Sequence, residues 1–310
     1  MNRWRFVLPV FLLLLSFSPA NAQSKTIAER LGYPADAKLL IIHADDLGVS
    51  HSVDAASFDA IEKRAVTSAS VMVPCPWLLE VSAYAKTHAD ADLGLHLTLN
   101  SEWKTYRWGP VAPKDVVPGL LDFSGSLWSE SRQVVAHSNA LEVEREIRAQ
   151  IEEAIALAIR PSHLDTHMGT LFASQEFFGA YVKVAHEYGF PFLVAKVNDE
   201  RANWMSVLSD KDIVLDAVVG AGEDVRPEQW KDFYVKSVQE LKPGLTEMIV
   251  HLGHDDAELQ AVMVDHPAFG SAWRQRDYDV VNSAEFKKAL QENHVVLVGW
   301  KDLQRIANGR

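Results

Sequence analysis

Short apolar runs alternate with longer amphipathic stretches along most of the chain. Residues 39–42, Leu39-Leu40-Ile41-Ile42, form a compact apolar run of the kind that makes a strand buried on both faces. The run passes into His43-Ala44-Asp45-Asp46 and Gly48, after which Phe58, Ile61 and Ala65 recur at helical spacing. Residues 68–73 read as a second strand and 77–86 as a helix. In 93–99 the alternation is strict: Leu95, Leu97 and Leu99 share one face, and Gly94, His96 and Thr98 share the other. The clearest predicted helix is 141–159. Val143, Ile147, Ile151, Ala154 and Ala158 keep to one stripe, Glu142, Glu144 and Glu146 sit in the half that the helix dipole favours for acids, and Arg160-Pro161 ends it. Further strands are predicted at 162–167, 190–197, 213–219, 248–251 and 295–298. They alternate with helices at 177–188, after Pro227, after Ser283 and after Lys301.

Seven or eight strand–helix units in succession, with no linker, repeat or low-complexity tract, predict one α/β domain over 23–310. Its sheet is parallel, either closed as a barrel or open and doubly wound. The rhythm breaks at 100–139, a long insertion after the third strand. It holds Pro110, Pro113, Pro118, Gly109, Gly119 and Gly125, with Trp103, Trp108 and Trp128. A segment of this length suits a lid or binding loop, and suits a surface excursion or dimer contact equally well. The three tryptophans are expected either to stack on a ring-shaped ligand or to pack internally.

The first 22 residues read as an address. Arg3 and Arg5 precede an apolar run over 6–17 and then Ala20-Asn21-Ala22, the order of a cleavable signal peptide, which predicts export to a periplasmic or extracellular space. No stable membrane span is expected after cleavage. Composition adds exclusions: 48% apolar and 23% charged residues suit a packed globular chain, and a formal charge of −12 disfavours nucleic-acid binding through a basic surface. The single cysteine, Cys75, can form no disulfide within the chain; between Pro74 and Pro76, beside an apolar stretch, it reads as a buried thiol.

Polar clusters fall at the carboxyl ends of predicted strands, where parallel α/β folds carry their functional groups. They are Asp45-Asp46, His96, His163-x-Asp165-x-His167, and His251 with His254, Asp255 and Asp256. Each has an ordinary explanation by itself: a helix cap, a core histidine or a polar edge. Together they suggest an open metal site, because two histidines and a carboxylate leave coordination room for water. A divalent ion there lowers the pKa of its water and polarises a carbonyl; a second carboxylate can take the water's proton and a histidine can protonate a leaving nitrogen. That set suits hydrolysis of an amide or ester.

The segment from Leu40 to Gly48, with its His43-Ala44-Asp45-Asp46 core, resembles the opening motif of the YdjC-like (ChbG/HpnK) carbohydrate deacetylases. The likeness continues through Ala65-Val66-Thr67-Ser68-Ala69-Ser70, Gly94-Leu95-His96-Leu97-Thr98-Leu99 and Pro161-Ser162-His163-Leu164-Asp165-Thr166-His167, then more weakly through Ile249-Val250-His251, Trp273 and Arg276. It implies a TIM-barrel-like (β/α) barrel related to the NodB-type deacetylases and the removal of acetyl groups from N-acetylated sugars or oligosaccharides. It also implies one divalent metal ion, with zinc the best match to the ligand set and magnesium among the alternatives. By the resemblance Asp45 is the base, Asp46, His96 and His167 are metal ligands, and His251 is the general acid. His163, Asp165 and Arg276 then orient ligands or substrate. The sequence departs from the family after His167, where Met168-Gly169-Thr170-Leu171 replaces further histidines, and after His251, where Leu252 replaces a proline. Rival readings are a metal-free glycosidase, a non-catalytic glycan-binding protein on the same fold, and an esterase acting on O-acetyl groups. A homodimer is compatible with the sequence.

Overall fold

The computed structural model describes residues 25–264 and 266–308; the expected signal peptide at 1–22 lies outside them. The strands are β1 (Lys38–Leu47), β2 (Ser68–Val71), β3 (Leu93–Leu97), β4 (Leu164–Thr166), β5 (Ala217–Val219), β6 (Gly244–Val250) and β7 (Val296–Leu297). Every pairing between them is parallel, in the order β4-β3-β2-β1-β6-β5, with β7 joined to β1 at Leu39 and Leu40. Helices connect the strands, as parallel pairing requires. The result is an α/β fold whose sheet curves as a parallel half-barrel. Single parallel bridges, Leu164 with Phe192 and Ala195 with Leu215, carry the curve on from β4 towards the residues just before β5.

β1 is the axis of the structure. Its first seven residues pair with β6 and its later ones with β2, and all but Lys38 are buried, which explains its opening apolar run. The helix Ala140–Ala156 buries the predicted stripe of Val143, Ile147, Ile151 and Ala154. Two departures from the sequence reading stand out. The strand predicted at 190–197 contributes only the two bridges, and the buried helix Ser271–Asn282 was not anticipated.

The insertion packs inward. Trp103, Trp108 and Trp128 are all buried, and the indole N–H groups of Trp108 and Trp128 donate to the carbonyls of Asn100 and Gly119. Glu146, fully buried on the helix Ala140–Ala156, accepts hydrogen bonds from the backbone N–H groups of Val111 and Ala112. Of the alternatives open in the sequence, internal packing of the three tryptophans is the one observed. Three large aromatic faces cost too much to leave in water when a core is within reach. Cys75 is buried and unpaired, and burial pushes its thiol well above the ordinary range.

Candidate metal centre

Successive residues of a strand point to opposite faces, so a regular β1 would separate Asp45 from Asp46. The register shows how both reach one cavity. Ala44 faces Ala69 and Leu47 faces Val71, so β1 spends one residue more than β2 over this interval. The extra residue is absorbed as a bulge, with Asp46 in the left-handed region at φ 71°. Bulges of this kind re-aim a side chain at the end of a strand, and aspartate tolerates the conformation better than most residues.

Asp46, His96 and His167, from β1, β3 and the turn after β4, each offer a ligand atom within 4.8 Å of the others. The Oδ1 atom of Asp46 lies 3.4 Å from His96 Nε2 and 3.4 Å from His167 Nδ1. That buried oxygen has no hydrogen-bond partner among the described residues. The far nitrogen of each imidazole is held by a carboxylate: His96 Nδ1 donates to Asp165 Oδ1 at 2.6 Å, and His167 Nε2 donates to Glu102 Oε2 at 3.0 Å. Carboxylate–histidine pairs of this kind fix the tautomer and orientation of metal-ligating imidazoles. Three converging donor atoms, one of them an orphaned carboxylate oxygen, fit a divalent cation with His/His/Asp preference.

The electrostatics favour positive charge at this point. Burial works against the charge on Asp46, but the Arg274 guanidinium, 2.6 Å from Oδ2, and His167 outweigh it and hold the carboxyl well below its ordinary range. Burial also opposes protonation of His167, yet Glu102 and Asp46 raise it to about 10. Asp165 stays well below the ordinary carboxylate range despite burial, because His96, His163 and His43 surround it.

Asp45 lines the same cavity, with Oδ2 3.9 Å from His96 Nε2 and 3.8 Å from His251 Nε2. His251 is positioned through its backbone, whose N–H donates to Asp277; that carboxylate also accepts from Trp230 and Tyr234. Burial lowers the His251 pKa to about 4, so its ring is neutral at neutral pH. The cavity, about 640 Å³, continues past Phe172, Leu193, Val218, Ile249 and Phe269, with Glu223 and His266 also on its wall.

The structure therefore gathers Asp45, Asp46, His96, His167 and His251 around one cavity. It places Asp165 behind His96, while His163 lies deeper, stacked on Trp300 with ring centroids 4.7 Å apart. Gly94 makes room for that ring, since a Cβ there would fall 2.2 Å from His163 Cε1. Arg276 is placed elsewhere, its guanidinium 4.7 Å from the centre of the Trp230 ring. Two residues along a helix turn a side chain through about 200°, so Arg274 faces the site and Arg276 does not. The rest of the late cluster also stays outside. His254 packs against Tyr278, Asp255 accepts from Gln260, and Asp256 caps the helix Ala257–Val262. Glu102 and Arg274 were not recognised in the sequence. Glu102 sits in an aperiodic insertion, and Arg274 lies between Trp273 and Arg276, the two residues of that stretch that the sequence singles out.

Comparison with known proteins assigns the chain to a family. The family model described as YdjC-like protein matches residues 39–292. The chain belongs to the YdjC-like family. Its relatives include a carbohydrate deacetylase of Enterococcus faecalis, 27% identical over 86% of this chain and 98% of the relative. Another is a carbohydrate deacetylase of Thermus thermophilus, 29% identical over 86% and 95%. Among solved structures, a proposed cellobiose-phosphate cleavage protein of Enterococcus faecalis superposes with a TM-score of 0.72 at 25% identity, covering 86% of this chain and 99% of the other. The match spans β1 to the helix Ala284–Glu292 and so includes every residue of the centre.

Proposed function

We propose that this protein is a metal-dependent carbohydrate deacetylase, hydrolysing the amide of an N-acetylated sugar or oligosaccharide. The observation that carries the reading is the convergence of Asp46, His96 and His167 beside a second carboxylate, Asp45, in a member of a family whose relatives bear that activity in their names. When bound by those three residues, a divalent ion, zinc by preference for this donor set, supplies Lewis acidity and a water of lowered pKa. Asp45 takes the proton from the attacking water. His251 faces Asp45 across the cavity and passes a proton to the leaving nitrogen; being neutral at rest, it must first gain that proton during turnover, and Asp45, 3.8 Å away, is the near source. The same arrangement suits an O-acetyl ester, so the bond is decided by assay.

The half-barrel with its two closing bridges supports a TIM-barrel-like (β/α) fold related to the NodB-type deacetylases, and the basic-apolar-small pattern of 1–22 supports export. No helix among the described residues is long and apolar enough to cross a membrane. The test is acetate release by the protein from a panel of N-acetylated and O-acetylated oligosaccharides, with added zinc or magnesium and with a chelator. Acetate release that the chelator abolishes and zinc restores, together with loss of turnover but retention of zinc in Asp45→Asn, is the expected result. Release of sugars instead of acetate, indifferent to chelator, would overturn it in favour of a glycosidase.

A further inference from the structure

His43 precedes Asp45 by two residues on β1, so the strand's period puts its imidazole on the same face, one layer deeper in the barrel. It is fully buried. Its Nε2 lies 3.0 Å from Asp165 Oδ2, 3.1 Å from Asp45 Oδ1 and 3.0 Å from Ser70 Oγ. Two carboxylate oxygens facing one ring nitrogen fix its state. Nε2 must carry a hydrogen, since a bare lone pair would oppose theirs. Ser70 Oγ also reaches Asp45 Oδ1, at 3.4 Å. The other oxygen of Asp165 accepts from His96 Nδ1 at 2.6 Å. One carboxylate therefore touches both the imidazole of a candidate metal ligand, His96, and the imidazole behind the base, His43.

We propose that His43 is a positioning residue for hydrolysis: anchored on Asp165, its Nε2–H fixes the Asp45 carboxylate beside the metal centre, so that Asp165 sets the placement of His96 and Asp45 together. The proposal rests on the deacetylase reading, with Asp45 as base. Without His43, Asp45 loses its nearest polar side-chain contact among the described residues and meets the like charge of Asp165, and the carboxylate turns away from the attacking water.

The test compares the full-length wild type with His43→Leu, His43→Gln and His43→Asn by crystal structure, zinc content and steady-state kinetics. Glutamine places its Nε2 near that of histidine, whereas asparagine falls short. In His43→Leu the Asp45 carboxylate is expected to rotate out of place and kcat to fall about 100-fold, the scale of a misplacement near 1 Å. KM should stay within about twofold and zinc content should be unchanged, because the ligands are untouched. His43→Gln should restore both the carboxylate position and most of kcat, while His43→Asn should not. The proposal is overturned if Asp45 keeps its place in His43→Leu, if that variant keeps wild-type kcat, or if it loses zinc with its activity and glutamine gives no rescue. Should the leucine variant fail to fold, equal behaviour of the glutamine and asparagine variants overturns it. If the wild type releases acetate from no sugar, the deacetylase reading fails, while the position of Asp45 across the structures still decides whether His43 holds it.

Discussion

Glu102 touches His167 and Arg274 touches Asp46, and on the proposed metal-site reading their effects should separate. Glu102→Gln removes the charge behind His167 while keeping the shape, so zinc affinity should weaken about 10–100-fold, as measured by competition with a chromophoric chelator, with the fold unchanged by circular dichroism. Arg274→Met strips the buried partner from Asp46 and leaves an uncompensated carboxylate, a change that typically costs about 3–5 kcal/mol. Urea unfolding of the metal-free protein should show that loss, and saturating zinc should shrink it by supplying the missing positive charge. At this scale the sequence was informative where chemistry recurs at strand ends. Asp45, Asp46, His96 and His167 were readable because a parallel fold brings such ends together. Their supports were not. Glu102 lies 65 residues from His167 and Arg274 lies 228 from Asp46, separations across which local pattern carries nothing.

Periodicity reports whether a residue is buried, but not always which neighbour buries it, and the elements that were misread follow from that. β1, β3 and the helix Ala140–Ala156 have strong patterns and appeared where expected. The 190–197 run is apolar enough for a strand, yet its backbone joins only single bridges, so burial there is not matched by a regular ladder. The helix Ser271–Asn282 carries Arg274 and Asp277 on its buried face, and that polar inner stripe hid its amphipathicity. Gly94 is where β3 and the deeper layer meet. Gly94→Ala forces a methyl into the His163 ring, and overpacking of this kind costs about 1–3 kcal/mol, so its urea midpoint should fall and His96, two residues on, should shift with it. For the insertion, Trp108→Ala should destabilise the protein by about 3–5 kcal/mol in urea titration. An effect confined to substrate KM would instead mean that the indole contacts sugar.

Taken as a whole, the molecule stacks its ionisable groups in depth along the half-barrel. The candidate metal centre lies at the carboxyl ends, His43, Asp165 and His163 beneath it, and Glu247 lower still on β6. Glu247 is fully buried, and neither of its oxygens has a hydrogen-bond partner among the described residues; the nearest basic atom recorded for it is His43 Nδ1, 3.9 Å away. Burial therefore raises its pKa to about 8, with His43 opposing and the charges of Asp165 and Asp45 assisting. The unfolded chain holds that proton only up to about pH 4.3. Between the two values the native state binds the proton and the unfolded state does not, so Glu247's contribution is fully present below the lower value and is lost progressively as pH rises to about 8. Glu247→Gln keeps the shape and cannot ionise, so it should not share this loss. Urea titrations of both proteins at pH 5 and pH 9 should show the glutamine variant gaining on the wild type as pH rises, while a gap that stays constant would mean that Glu247 is already ionised in the fold. Asp54, Glu146 and Asp277 are also buried with raised pKa values, but each accepts at least one hydrogen bond; Glu247, with none among the described residues, is the clearest case of a carboxylate that makes the interior less stable in alkali.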